Sequence, residues 1–280
     1  MTPDRALAAR ELLAFYLEAG ADACIGEAPV DRFADPAPAV APQPIKESSP
    51  EPKPRAPSPV VERPSAPPPS PGAPPAVPEA AVMAAREAAK SAASLDALRA
   101  ILERFEGCAL KATAKQLVFA DGNPQARIMF VGEAPGRDED IAGLPFVGRS
   151  GKLLDLMLNA IGLDRTSAYI ANIVPWRPPG NRTPTPVETQ ICLPFLLRQI
   201  ELCNPDILVC LGNPSTQTLL ATADGITKTR GRWFPFRTGK REIRAMPTFH
   251  PAFLLRSPLQ KRLAWRDFLA IKKALAEAQG

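Results

Sequence analysis

From Arg127 onward the chain alternates continuous apolar runs with stretches of helical periodicity. Arg127-Ile-Met-Phe-Val-Gly132 is the first such run, the pattern of a strand buried on both faces. Gly151 to Ile161 then carries Leu153, Leu154, Met157 and Leu158 at helical spacing. Ala168 to Val174 reads as a second strand. Glu188 to Leu202 reads as a helix, its start marked by the Thr185-x-x-Glu188 capping pattern. Asp206 to Leu211 is a third strand, Asn213 to Leu220 a short helix, Glu242 to Phe249 a fourth strand, and Gln260 to Ala278 a closing helix. Upstream, Ala81 to Phe105 reads as helical, with Leu95, Leu98, Ile101 and Leu102 on its apolar face and Ser94 as N-cap of its second half. Strands separated by helices predict an α/β fold with a mainly parallel sheet covered on both faces. Ligands on such sheets bind outside the carboxyl ends of the strands. Here those ends are Gly132-Glu133, Asn172, Gly212 and His250.

The first eighty residues break this pattern. Pro3 to Gly20 reads as an amphipathic helix through Leu7, Leu12, Leu13, Tyr16 and Leu17. About half of the 34 prolines then fall between Glu27 and Glu79, in a stretch also rich in Ala and Ser. Such a segment cannot bury enough apolar surface to offset its ordering entropy. The expected organisation is an N-terminal helix over 1–26, a disordered linker over 27–80 and a globular domain over 81–280. The helix either docks on its own domain or binds a partner, such as a repair or replication protein.

The net charge of +5 is unevenly distributed. Gly107 to Thr222 holds ten Lys/Arg and ten Asp/Glu, whereas Ala223 to Arg266 holds eleven Lys/Arg against Asp224 and Glu242 alone. That excess fits a docked polyanion, or simply a solvated basic face. No run approaches the roughly 18 apolar residues of a membrane span, and the start of the chain lacks the apolar core of a secretory signal. The five cysteines form no CxxC pair. A reduced, cytoplasmic, soluble monomer is expected.

The chemistry gathers at the strand ends. His250 is the only histidine, placed between an apolar run and Pro251, and it reads as opening a loop. Its neutral ring offers one donor, although a lone histidine is as readily fixed by packing. Leu254, Leu255 and Arg256 follow, a loop tip suited to wedging a base stack beside a phosphate contact. Gly132 to Asp140 turns tightly and carries Glu133, Glu139 and Asp140, acids able to orient a water. Glu139-Asp140 reads equally well as the acidic first turn of a helix. Phe146, between Pro145 and Gly148, is a candidate stacking platform or a core residue. Asn172 interrupts an apolar strand, and its amide matches the donor–acceptor edge of uracil or thymine. Arg177 and Arg182, in a rigid loop after that strand, suit phosphate contact or plain surface exposure.

Together Gly132-Glu-Ala-Pro-Gly136, Pro145-Phe-Val-Gly148, Asn172-Ile-Val174, Arg177-Pro-Pro-Gly-Asn-Arg182 and His250-Pro251 with Leu254-Leu255-Arg256 resemble the uracil-DNA glycosylase superfamily. The resemblance is to family 4, the iron–sulfur branch, and covers about Phe105 to Ala276. It implies a three-layer α/β/α sandwich with a small, mainly parallel sheet, acting on uracil-containing DNA. By the same carry-over, Glu133 and Glu139 place the attacking water, Ala134 and Phe146 contact the flipped base, Asn172 reads its edge and His250 bonds its O2. Arg177, Arg182, Leu254, Leu255 and Arg256 face DNA.

A covalent branch of the superfamily carries an extra histidine in an insertion after the asparagine strand. Trp176 to Pro186 has neither, so product release is expected. Family 4 also implies a [4Fe–4S] cluster on four cysteines, at positions that hold Phe105, Cys108, Trp176 and Cys192 here. With two thiols left, the expectation is no cofactor and no metal, with Phe105 packed on Trp176 in the vacated volume. The competing reading is an inactive nucleic-acid-binding or scaffold protein on the same fold.

Overall fold

The computed structural model describes residues 79–277. The expected N-terminal helix and nearly all of the linker lie outside the described residues. The first helix, α1 (Glu79–Ser91), already begins two residues ahead of the expected domain start.

The single helix expected over 81–105 is two. α1 stops at Ser91, and α2 (Leu95–Arg104) restarts from Ser94, whose hydroxyl accepts from Ala97 N at 3.1 Å. The N-cap was therefore readable, but the break before it was not. β1 (Asp121–Gly122) and β2 (Ile128–Gly132) precede α3 (Arg137–Ala142) and α4 (Arg149–Ala160). β3 (Tyr169–Asn172) leads through the Arg-rich loop to α5 (Pro186–Cys203). β4 (Ile207–Leu211), α6 (Asn213–Leu220) and α7 (Ile226–Thr229) follow. β5 (Phe234–Arg237) and β6 (Glu242–Thr248) form a hairpin, then come α8 (Pro251–Arg256) and α9 (Lys261–Glu277).

The sheet order is β1-β3-β2-β4-β6-β5. The four central strands are parallel, and each edge strand pairs antiparallel with its neighbour. Successive residues of a strand point to opposite faces, which divides the core in two. Met129, Val131, Leu208 and Cys210 pack under α1, α2 and α5. Ile128, Phe130, Ile207 and Val209 pack under α4 and α9. The sheet is mainly parallel and covered on both faces, as the alternation of strands and helices predicts, and it forms the three-layer sandwich that the family resemblance implies. The chain leaves β2 toward β3 on one side and later crosses to β4 on the other. The order thus reverses at β2, and the crevice above that point is where such folds bind ligands.

Candidate active site

Three side chains converge at the carboxyl ends of β2, β3 and β6. Asn172 is the last residue of β3, in register with Gly132 of β2. A Cβ on Gly132 would stand 2.5 Å from Asn172 Oδ1 and 2.6 Å from the Phe146 ring, so only glycine lets both approach. The Phe146 ring lies 5.5 Å from the His250 ring, centroid to centroid, tilted by 32°. With Ala134, Gly136, Glu139 and Ser150 these residues enclose a pocket of about 170 Å³, room for a single-ring base.

His250 does not open a loop. It is the N-cap of α8, and its Nδ1 accepts from Ala252 N at 3.1 Å. Pro251 ends the strand as expected, but it does so as the first residue of a helix, a position proline favours. The cap settles the tautomer: with Nδ1 accepting, Nε2 carries the proton and is a donor. Burial, and then the positive charge of Arg256, push the His250 pKa down to about 4. The ring is neutral at physiological pH. Behind it, buried Asp267 accepts from Thr248 Oγ1 (2.7 Å) and Arg230 Nε (3.0 Å), pinning the end of β6.

The two glutamates differ. Glu139 is buried, with its carboxylate held by the backbone N–H groups of Gly136 (3.0 Å), Val147 (3.1 Å) and Gly148 (2.9 Å). It ties the Gly132–Gly136 turn to the Phe146 loop. Glu133 lines a neighbouring cleft of about 620 Å³ that shares His250 with the pocket. Its Oε1 is buried with no hydrogen-bond partner, and burial raises its pKa above the usual carboxylate value. Asn172 Oδ1 is likewise buried and unpartnered. Asp140 accepts from Lys115 N at 2.8 Å and has a structural role.

Of the residues expected to face DNA, Leu255 and Arg256 are exposed on α8. Leu254 is not: it is 1% exposed and packed with Phe249 and Ala264. This corrects the expected wedge. In a helix, unlike an open loop, neighbouring leucines point in different directions, and only one can face solvent. Arg182 pairs through both terminal nitrogens with Glu188 (2.8 and 2.6 Å), and Arg177 Nε donates to Asn181 Oδ1 (2.6 Å). Arg182 is thus ion-paired with the first turn of α5, and Arg177 stands 3.9 Å from the Asp140 carboxylate of α3. Arg137 and Arg149, which sequence reasoning passed over, join Arg256 along a cleft of about 480 Å³ beside the pocket. Ser150, in the same cleft and in the pocket, was missed too. Arginines near helix starts carry no signature in sequence; only the fold brings these together.

The corner implied to hold a cluster has a different character. Cys108 and Cys192 are buried with their sulfurs 3.8 Å apart. The thiol hydrogen bond from Cys192 lowers the Cys108 pKa, while that bond and burial hold Cys192 protonated. Trp176 is 2% exposed in the same core. The Phe105 ring meets Phe195 edge-on at 5.0 Å, not Trp176 as expected. Cys203 and Cys210 are buried elsewhere in this core, burial pushing both thiols up to about 12. Among the described residues no group of three or more His, Cys, Asp or Glu could hold a metal ion. Two thiols among aromatic side chains do not fit a four-thiolate cluster.

An α/β sandwich with a base-sized pocket at its strand ends and arginines beside it suits an enzyme that acts on a nucleobase. Residues 119–269 match the pattern of the uracil DNA glycosylase superfamily, and the chain belongs to that family. Its relatives place it in the type-4 branch. It is 40% identical to the type-4 uracil-DNA glycosylase of Saccharolobus solfataricus over 188 residues, 65% of this chain and 87% of that one. Identity to the type-4 enzyme of Thermotoga maritima is 46%, covering 56% of this chain and 80% of that one. For that of Archaeoglobus fulgidus it is 38%, over 66% and 96%. Among the described residues no helix is long and apolar enough to cross a membrane.

Proposed function

We propose that this protein removes uracil from DNA by hydrolysing its N-glycosidic bond, leaving an abasic site. The observation that carries this is the meeting, in one small pocket, of an aromatic face (Phe146), an unpartnered amide oxygen (Asn172) and a neutral imidazole with Nε2–H free to donate (His250). Extruding the base costs a few kcal/mol. Leu255 fills the gap, and Arg256, Arg137 and Arg149 grip phosphates. The flipped ring stacks on Phe146 beside Ala134. Asn172 Oδ1 accepts from N3–H, and its amide N–H donates to O4. As the C1′–N1 bond breaks, positive charge grows on the sugar and negative charge on the uracil oxygens. A donor aimed at such an oxyanion is typically worth about 3–4 kcal/mol. His250 Nε2–H, aimed at O2, fills that role. Glu133 orients the water that attacks C1′ and takes up its proton. Glu139 serves by shaping the loop.

The test is excision itself. A uracil-containing oligonucleotide incubated with the protein, then treated with alkali, should break at uracil. Tight binding without scission would favour the inactive-binder reading instead. The reading extends to a chain that works as a monomer, releases its product, and has residues 81–280 as its catalytic unit. A truncated chain starting at Glu79 that cannot excise, a dimer in sedimentation, or a protein–DNA adduct surviving denaturing electrophoresis would each contradict one part. The amphipathic segment over 1–26 is left to recruit a repair or replication partner, and unchanged repair after its deletion in cells would count against that. The corner around Trp176 is read as apolar packing in place of a cluster. Its support is the pair of thiols and the buried indole where four thiolates are needed.

A further inference from the structure

Phe146 is the non-glycine residue of the base pocket whose backbone is held in the left-handed region, at φ 56°. That conformation persists only where the surroundings over-determine it. Two features do so. Gly151 of α4 presses against the Phe146 carbonyl so closely that a Cβ there would lie 1.6 Å from its oxygen. From the other side comes Arg165, in the loop between α4 and β3. Its Nη1 donates to Pro145 O at 3.1 Å, and its Nη2 donates to Phe146 O. The same guanidinium is anchored by Asp155 of α4 (Nε to Oδ1, 2.8 Å) and Asp121 of β1 (Nη1 to Oδ2, 2.5 Å). Arg165 is largely buried and does not line the base pocket.

We propose that Arg165 is a positioning residue for base recognition. Held by Asp121 and Asp155, it fixes the Pro145 and Phe146 carbonyls and so sets where the Phe146 ring offers its face to the flipped base. This rests on the uracil-excision reading above. A planar fork serving two carbonyls and two carboxylates in fixed directions is work that lysine cannot do. A residue that merely balanced the two carboxylates would be replaceable by lysine.

The test is a cycle of single-turnover excision rates on single-stranded uracil DNA, with melting temperatures in parallel. Arg165→Gln should lose about 10- to 100-fold, the scale of a misplaced reacting group. Arg165→Lys should recover little of it. Arg165→Gln combined with Phe146→Ala should be no slower than Phe146→Ala alone, because both act through one ring. A full-rate Arg165→Gln, full rescue by lysine, or losses that multiply in the double variant would overturn the proposal. Should Arg165→Gln not fold, Asp155→Asn loosens the guanidinium and should give a smaller, Phe146-dependent loss; an unchanged rate overturns it. A crystal structure of Arg165→Gln or Asp155→Asn reads the clamp without activity. Phe146 is expected to leave the left-handed region. A ring unmoved over Gly132 contradicts the clamp even if the wild type excises nothing, in which case the functional reading fails separately.

Discussion

Asn172 and Trp176 stand at either end of one short segment, yet they belong to opposite kinds of interior. Around Asn172 the protein leaves two buried polar atoms without partners, Asn172 Oδ1 and Glu133 Oε1. Each such atom costs on the order of 1–3 kcal/mol. Trp176 belongs to an apolar core that also holds the Phe105–Phe195 pair and two thiols, Cys192 donating to Cys108. The first region carries a stability cost that a hydrogen-bonding ligand would relieve. The second contributes stability by packing apolar side chains. In this chain chemistry and packing are separated along a few residues of backbone, and substitutions on the two sides should fail in different ways.

The largest effect should be Trp176→Ala. Truncating a buried tryptophan should cost about 3–5 kcal/mol of folding free energy, read by urea denaturation. A loss under about 1 kcal/mol would mean that the corner is not tightly packed. Next comes the contrast between adjacent leucines. Leu254→Ala should destabilise by about 2–5 kcal/mol as a core truncation. Leu255→Ala should stay within about 0.5 kcal/mol of wild type while slowing excision from duplex more than from single strands. The reverse assignment would restore Leu254 as the wedge. Asn172→Ala and His250→Ala should each slow excision by about one to three orders of magnitude, or about 1.4–4 kcal/mol. Asn172→Ala should leave the melting temperature almost unchanged, whereas His250→Ala also removes the N-cap of α8, worth about 0.5–2 kcal/mol. A full-rate His250→Ala would remove the foundation of the mechanism.

The smallest effect is in pH. With His250 titrating at about 4, its ring should add no inflection to the excision rate between about pH 6 and 8. It should fall on the acid side as Glu133, its pKa raised by burial, takes up a proton. Glu133→Gln should remove that acid limb. The linkage has a definite sign. The native ring binds its proton less tightly than the unfolded one, so its contribution to stability is complete above about 6.5 and is lost as pH falls toward 4. An inflection in rate near 6.5 that survives Glu133→Gln would contradict a buried neutral ring.

Much of this was legible before any coordinates. The four central strands announce themselves as apolar runs, and Asn172 and His250 stand out as polar residues at their ends. Local rules also foresaw the Ser94 cap and the Thr185–Glu188 box, which forms as read. What escaped was set by long-range contact or by shared vocabulary. β5 is a short edge strand with Pro235 in it, a composition that argues against a strand unless its outer side is unpaired. Pro251 serves equally as the end of a strand or the start of a helix, so the sequence predicts a loop where α8 stands and a surface position for Leu254. Glu139 read both as a water-positioning acid and as a helix-start acid, and its three backbone partners come from two loops. Arg165 looks like any surface arginine. Its partners lie on β1, on α4 and at Phe146, and no spacing rule connects them.

The separation of chemistry from packing is tested most directly by the iron content of a preparation that is excising uracil. The protein should be colourless, hold less than about one iron per chain and still produce alkali-labile sites at uracil. A brown protein with about four irons per chain, losing its activity or its fold when the iron is removed, would contradict it.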